Sequence, residues 1–199
     1  MPQLYANLSK NATIPDLSGG VLWADEVNKR FYLYGGEYNV ADGITPNPLT
    51  LLSYDTIYNQ WDNFGPPNMA INSVSWGGGV GISELGQGYM LGGWLSNATV
   101  PGWSGGPIAT STLIQYNMDT GVWTNSTGPD TVPKAEGVMV YLPASNNGLL
   151  VYVSTSRSET LPIFNECLEF PPSCSGKRTS QRVGTAWLAP LSTFLVRKC

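Results

Sequence analysis

Residues 50–61 read TLLSYDTIYNQW, and residues 112–123 read TLIQYNMDTGVW. The two segments align without a gap, so that threonine, leucine, tyrosine and tryptophan recur at matching places. In both segments apolar and polar residues alternate up to the tyrosine, and an Asp or Asn and a few turn residues separate it from the tryptophan. This order predicts a strand, a tight turn and a second strand.

An apolar run that ends in two glycines precedes each segment. Phe31–Tyr34 ends at Gly35-Gly36, and Tyr89–Leu91 ends at Gly92-Gly93. Further upstream, an apolar stretch is opened three times by a glycine-valine pair: Gly20-Val21, Gly79-Val80 and Gly137-Val138. Short apolar runs between glycine and polar turn residues predict buried strands. The sequence therefore predicts repeated units of four short antiparallel strands.

This pattern resembles the kelch repeat over about residues 17–154. The residues that carry the resemblance are the diglycines and the spaced aromatic pairs: Gly35, Gly36, Tyr54, Trp61, Gly92, Gly93, Tyr116 and Trp123. In that family each repeat is one blade of a β-propeller, and the Tyr and Trp pack between blades. The resemblance implies an all-β, kelch-type β-propeller fragment of two complete four-stranded blades plus half a third. With its long loops and sequons, the chain resembles the extracellular kelch proteins of fungi and, more distantly, the galactose oxidase propeller.

The repeat boundaries divide the chain into five parts: an N-terminal segment (1–16), units of about 17–66, 67–128 and 129–154, and a tail (155–199). In the third unit Val153-Ser154 stands where the diglycine is expected, and no periodicity follows it. The tail holds all three cysteines. Two interpretations remain open: a divergent extension closed by a Cys167–Cys174 disulfide, or an intron translated by a faulty gene model. Under both, an open stack of blades leaves faces uncovered, and we expect the chain to be marginally stable, oligomeric or prone to aggregation.

Composition excludes several classes of function. The chain has no histidine, which excludes Ser-His and Cys-His nucleophiles and every histidine-ligated metal site. A net charge of −4 without a basic cluster argues against nucleic acid as a partner. No apolar run reaches the roughly 20 residues of a membrane span, and the first residues lack the pattern of a signal peptide.

Secretion is nevertheless favoured by four Asn-X-Ser/Thr sequons, at Asn7, Asn11, Asn97 and Asn125. All four lie outside the predicted core strands. Together with the family resemblance, they predict an extracellular or cell-surface glycoprotein.

Residues 102–106 match the G-x-S-x-G string of serine hydrolases, but they lie in a Pro/Gly loop and have no histidine partner. Asp25-Glu26 is expected in a hairpin turn, and Asp16, Glu37 and Asp42 form no convincing glycosidase pair. The copper site of galactose oxidase needs histidine and tyrosine ligands that nothing here matches. We therefore expect no catalysis, no metal and no cofactor.

Two long Pro/Gly-rich loops, Glu37–Leu49 and Trp94–Ser111, follow the diglycines. Trp94 and Trp103 in the second loop are candidate binding residues, because aromatic side chains on loops anchor proteins or stack on sugars. The alternative is that both fold back onto the adjacent blade. The sequence predicts a non-catalytic interaction module that binds a protein partner, or a glycan, through these loops. The competing hypothesis is a remnant of a secreted carbohydrate-active or oxidase-like propeller enzyme, or a carbohydrate-binding propeller.

Overall fold

The computed structural model describes residues 14–39, 46, 48–144 and 148–154, and the backbone of 186–190. Apart from one short 3-10 turn, Ser83–Leu85, the regular structure in these residues is all β-strand. The strands are β1 (Leu17–Ser18), β2 (Val21–Asp25), β3 (Arg30–Tyr34), β4 (Glu37–Tyr38), β5 (Leu52–Asp55), β6 (Gln60–Asn63), β7 (Gly78–Ile82), β8 (Gln87–Leu91), β9 (Trp94–Leu95), β10 (Ile108–Ala109), β11 (Thr112–Asn117), β12 (Trp123–Thr127), β13 (Gly137–Leu142), β14 (Leu149–Ser154) and β15 (Ala186–Pro190).

The larger sheets are antiparallel blades. Blade 1 has the strand order β2-β3-β5-β6, and blade 2 has the equivalent order β7-β8-β11-β12. Two further antiparallel pairs, β1 with β4 and β9 with β10, form small two-stranded sheets outside these blades. The predicted fold class, an all-β fragment with two complete four-stranded blades, is confirmed.

Blade 3 consists of β13, β14 and β15. The first two strands are the half-blade that the sequence predicts. The third strand comes from the segment predicted to be irregular, and its Leu188 pairs with Val151 of β14. The rest of 155–199 lies outside the described residues.

The turn between the third and fourth strands of each blade is fixed by the residue that follows the tyrosine. Asp55 Oδ1 accepts hydrogen bonds from the backbone N–H groups of Ile57 and Tyr58, at 2.9 and 3.0 Å. Asn117 Oδ1 accepts them from Asp119 and Thr120, at 3.0 and 2.8 Å. A short side chain that bonds the backbone two and three residues ahead closes a tight turn, which is why the sequence places Asp or Asn there.

Strand register corrects one element of the sequence interpretation. Val21 pairs with Tyr34 just before the diglycine of blade 1, and the residue that pairs with Leu91 just before the diglycine of blade 2 is Gly78. The Gly79-Val80 pair is therefore displaced by two positions, and it is not the equivalent of Gly20-Val21. Most of the glycine-rich run at 77–81 lies in the first strand of blade 2.

The core is an aromatic cluster between blades 1 and 2. Trp23, fully buried on β2, stacks on Tyr34 with ring centroids 5.2 Å apart and on Tyr116 of blade 2 at 5.9 Å. Its Nε1 donates a hydrogen bond of 3.0 Å to the carbonyl oxygen of Tyr89. Large rings with one polar tip suit this position, because each buries roughly 150–250 Å² while its polar atom finds a partner.

Candidate functional site

The two ends of each blade differ in the length of their connections. At one end lie the short turns after β2 and β5, which we call the hairpin end. At the other end lie the diglycines and the two long loops, which we call the loop end. Because antiparallel strands bring alternate connections to the same edge, the described parts of Glu37–Leu49 and Trp94–Ser111 begin and end at the loop end.

The diglycines join each blade to the next at the loop end. Gly36 N donates to the carbonyl oxygen of Val74, at 2.9 Å, in the segment that enters blade 2. Gly93 N donates in the same way to Lys134, at 2.7 Å, in the segment that enters blade 3. All four glycines have positive φ. The values are 70° and 99° at Gly35 and Gly36, and 69° and 105° at Gly92 and Gly93. This backbone is costly for other residues, so the repeated diglycine is a structural requirement.

The two long loops touch each other. Tyr38 N, in the first loop, donates a hydrogen bond of 2.8 Å to the carbonyl oxygen of Ala98 in the second. Ser75 binds both loops: its backbone N and O pair with those of Trp94, and its hydroxyl lies 3.4 Å from Glu37 Oε2. The described parts of the loops therefore form one continuous surface, the two-loop surface.

Trp76 is the aromatic residue that sequence reasoning missed. It lies two residues before β7 at the loop end, it is 46% exposed, and its φ is 56°. A side chain built on Gly19 would meet the Trp76 ring at 2.7 Å, so the indole rests on the backbone at that point. A large non-glycine residue with positive φ is uncommon and indicates a functional or structural constraint. In the chain it directly follows Ser75, which bonds to both loops.

The two predicted binding tryptophans are both half-buried. Trp94 is fixed by its two backbone hydrogen bonds to Ser75. Trp103 folds over its own loop, and its Nε1 donates to the carbonyl oxygen of Gly106 at 3.2 Å. Each ring keeps part of its surface in solvent, so both remain candidates for binding.

The Tyr and Trp of the two repeats have different surroundings. Tyr116 and Trp123, 4.6 Å apart, pack against Trp23 between the blades. Tyr54 and Trp61, 5.3 Å apart, lie on the opposite face of blade 1, away from blade 2. They contact Phe31 of their own blade, at 5.1 and 5.6 Å.

Two of the predicted glycosylation sites are accessible. Asn97, in the second loop, and Asn125, on the outer strand β12, are both exposed. Asn7, Asn11, Cys167 and Cys174 lie outside the described residues, as does Asp42.

Where the structure describes them, the polar groups considered for catalysis belong to turns and hydrogen bonds of the scaffold. The G-x-S-x-G string occupies a turn of the second loop. Asp25 is buried and accepts hydrogen bonds from the backbone and side chain of Asn28, at 3.0 and 2.8 Å. Burial raises the pKa of Tyr32 to about 12 and also raises the pKa of Tyr34, Tyr89, Tyr116 and Tyr152, so these phenols stay protonated at neutral pH. Within the described ranges, no group of three Cys, Asp or Glu side chains is arranged to hold a metal.

Comparison with known proteins finds a relative that contains kelch repeats. A kelch repeat-containing protein from Arthroderma benhamiae is 24% identical, over 76% of this chain and 28% of its own length. The predicted resemblance to kelch-repeat proteins is confirmed. The chain thus spans little more than a quarter of this curated relative. Among solved structures, the structure of YjhT aligns with 70% of this chain and 34% of its own, at 19% identity and a TM-score of 0.46. No protein-family model matches the chain. In the described part of the chain, no helix has the length and apolarity needed to cross a membrane.

Proposed function

We propose that this kelch-type chain is a non-catalytic interaction module that binds a protein partner on its two-loop surface. The observation that carries the proposal is the hydrogen bond between Tyr38 N and the carbonyl oxygen of Ala98, 2.8 Å long. It joins loops from two different blades into one surface. Loops held on a rigid scaffold are where binding residues concentrate.

The chemistry of this surface fits a protein partner. Trp76 offers an indole that is held in place by the backbone below it, and Trp103 offers a second, half-exposed indole. Tryptophan is enriched among the residues that dominate binding energy, because a rigid ring buries a large area at little entropic cost. Ile108, an exposed apolar residue of β10, adds to the same loop.

Quantitative affinity capture with the full chain as bait tests the proposal. Trp76→Ala and Trp103→Ala should each release the same set of specific partners, by about tenfold or more for a central contact. Val27→Ala is the control, because Val27 is an exposed apolar residue of the hairpin end. Retention of every partner by both tryptophan variants would contradict the proposal, as would equal loss with the control.

A carbohydrate-binding propeller is the second candidate, because the partly exposed rings of Trp76 and Trp103 could also stack on a sugar. A glycan array separates the two candidates. Binding of one glycan class that Trp76→Ala or Trp103→Ala abolishes would favour the carbohydrate-binding propeller over protein recognition.

We also propose an extracellular or cell-surface location. The exposure of Asn97 and Asn125 supports it, since both sequons are open to a glycosyltransferase. Detection of the endogenous protein in the culture medium or on intact cells, rather than in the cytosol, is the measurement that decides the location.

A further inference from the structure

The loop end of the blades carries more negative than positive charge. Its described segments are 14–20, 35–39, 48–51, 64–77, 92–111 and 128–136. Within these segments the acidic residues are Asp16, Glu37, Asp130 and Glu136, and the one basic residue is Lys134. Lys134 is buried and forms an ion pair with Asp130. The described loop end is therefore net negative, which favours a positively charged partner over an anionic one.

One of these carboxylates, Glu136, is joined to Trp76 through the main chain. Glu136 N donates a hydrogen bond to the carbonyl oxygen of Trp76, so the two backbones lie about 5 Å apart, the spacing of hydrogen-bonded strands. Both residues have a left-handed backbone, with φ of 57° and 56°, and both are exposed. An aromatic ring and a carboxylate therefore project from neighbouring backbones at the loop end.

The direction of the Glu136 side chain follows from that of Trp76. Trp76 N donates to the carbonyl oxygen of Gly19, and the Trp76 ring rests on the Gly19 backbone. Glu136 has nearly the same φ and makes the same hydrogen bond to Trp76. Because backbone conformation sets the direction in which a side chain leaves, we expect the Glu136 carboxylate to be directed toward Trp76, as the indole is toward Gly19.

The chain around Trp76 is held in place before any partner arrives. Ser75, the preceding residue, exchanges two backbone hydrogen bonds with Trp94. Its hydroxyl lies 3.4 Å from Glu37 Oε2, which brings a second carboxylate to the same segment. A group that is already fixed loses little conformational entropy on binding. Trp76 therefore offers a preformed aromatic surface beside negative charge.

We propose that Trp76 and Glu136 bind an arginine side chain of the protein partner, an inference that rests on the proposed protein-binding function. The guanidinium lies on the exposed face of the indole, and its N–H groups bind the Glu136 carboxylate. A planar guanidinium can stack on an aromatic ring and pair with a carboxylate at the same time. The electrons of the indole face also attract the positive charge. Lysine fits less well, because its ammonium group is a compact charge that does not stack.

An NMR titration of the isotope-labelled full chain with a short peptide tests this inference. The probe peptide has two arginines in a background of glycine and serine. Its matched control has citrulline at both positions, which keeps the shape and removes the charge. The arginine peptide should cause saturable shifts of the backbone N–H signals of residues 75–77 and 135–136, a lysine peptide weaker ones, and the citrulline peptide none. Equal binding of the citrulline peptide, saturable shifts confined to other residues, or no saturable shift would overturn the proposal.

Two substitutions identify the binding groups. Glu136→Gln and Trp76→Leu should each weaken binding of the arginine peptide about two- to fivefold, because an exposed ion pair and an exposed cation–π contact each contribute modestly. Glu84→Gln is the control, the same substitution at an exposed acidic residue in the turn between β7 and β8, and it should leave the affinity unchanged. Unchanged affinity in Glu136→Gln, or an equal loss in Glu84→Gln, would overturn the proposal. The spectrum of each variant without peptide shows whether it is folded, and the comparison of arginine with citrulline on the wild type needs no variant.

Affinity capture separates this inference from the proposed function. Glu136→Gln should release the same partners as Trp76→Ala, whereas Glu84→Gln should retain them. If Trp76→Ala releases partners and Glu136→Gln retains them all, the chain binds proteins but the arginine contact is wrong. If the arginine peptide binds as expected but no partner depends on Trp76, the arginine contact stands and the proposed function fails.

Discussion

The indole of Trp23 occupies the space above Gly88, where a Cβ would stand only 2.4 Å from its Cδ2 atom. One blade therefore depends on a missing side chain in the next, although the two residues lie far apart in the sequence. The fit between blades is a matter of volume at a few positions.

Gly88→Ala should destabilise the chain by about 1–3 kcal/mol, because the added methyl must displace the buried Trp23 ring. The measurement is the midpoint of urea unfolding. Gly106→Ala is the control, since a Cβ there has no neighbour within 4 Å. Equal stability of the two variants would mean that the blades separate easily at this contact.

Gly92→Ala should cost clearly more stability than Gly102→Ala. Both glycines have nearly the same φ, 69° and 70°, so the backbone cost of about 1–2 kcal/mol is shared. Only at Gly92 does the new Cβ meet another backbone atom, the carbonyl oxygen of Lys134, at 2.1 Å. Thermal unfolding of the two variants isolates the steric contribution, and the same Tm in both would refute it.

Acid should destabilise blade 1 through Asp55. The N–H of Tyr58 is the main cause that lowers the pKa of the Asp55 carboxyl below its ordinary value; burial opposes it, and Ile57 N–H and the Arg30 guanidinium add to it. A lowered folded-state pKa stabilises the protein above the unfolded value of 3.8, and this stability is lost as the pH falls through the folded pKa.

Asp55→Asn should therefore lower stability at pH 7 and flatten its loss between about pH 5 and pH 2. Urea unfolding across this range measures the effect. Asn117→Ala, at the equivalent turn of blade 2, is the control: it should lower stability by a similar amount at every pH. If the stability of Asp55→Asn falls with decreasing pH as steeply as that of the wild type, other carboxyls cause the loss.

Asn97 and Asn125 should carry N-linked glycans when the chain is directed through a secretory pathway. Both side chains are exposed. Asn97→Gln and Asn125→Gln should each remove one glycan, seen as a discrete fall in mass by mass spectrometry, with the unmodified cytosolic product as reference. Unglycosylated asparagine at both positions after secretion would contradict the prediction.

The blades can be predicted from the sequence because local geometry requires particular residue types at particular positions. Diglycines, turn-capping Asp or Asn, and paired aromatics each perform one task in both repeats, so the same residue types recur. Trp76 escapes this kind of reasoning, because the residues at its position in the three blades, Gly19, Trp76 and Glu136, share a backbone conformation and no chemistry. β15 escapes it too, since its strand structure follows from pairing with β14.

The contact between the two long loops is likewise not predicted by the repeat pattern. The loops after the two diglycines are predicted from Pro and Gly, but their contact at Tyr38 and Ala98 depends on how neighbouring blades are set against each other. The structure also shows that Phe31 contacts Tyr54 and Trp61 in blade 1 much as Trp23 contacts Tyr116 and Trp123 in blade 2, which the repeat pattern does not predict.

Gly19, Trp76 and Glu136, which share one position in the three blades, are connected in series: Trp76 N donates to the carbonyl oxygen of Gly19 at 2.7 Å, and Glu136 N donates to that of Trp76 at 2.6 Å. Both of these hydrogen bonds join main-chain atoms, so they do not depend on the type of side chain at each position. The same main-chain link therefore carries a hydrogen atom, an indole and a carboxylate in three successive blades, and the surface chemistry at this point differs from blade to blade while the link stays the same.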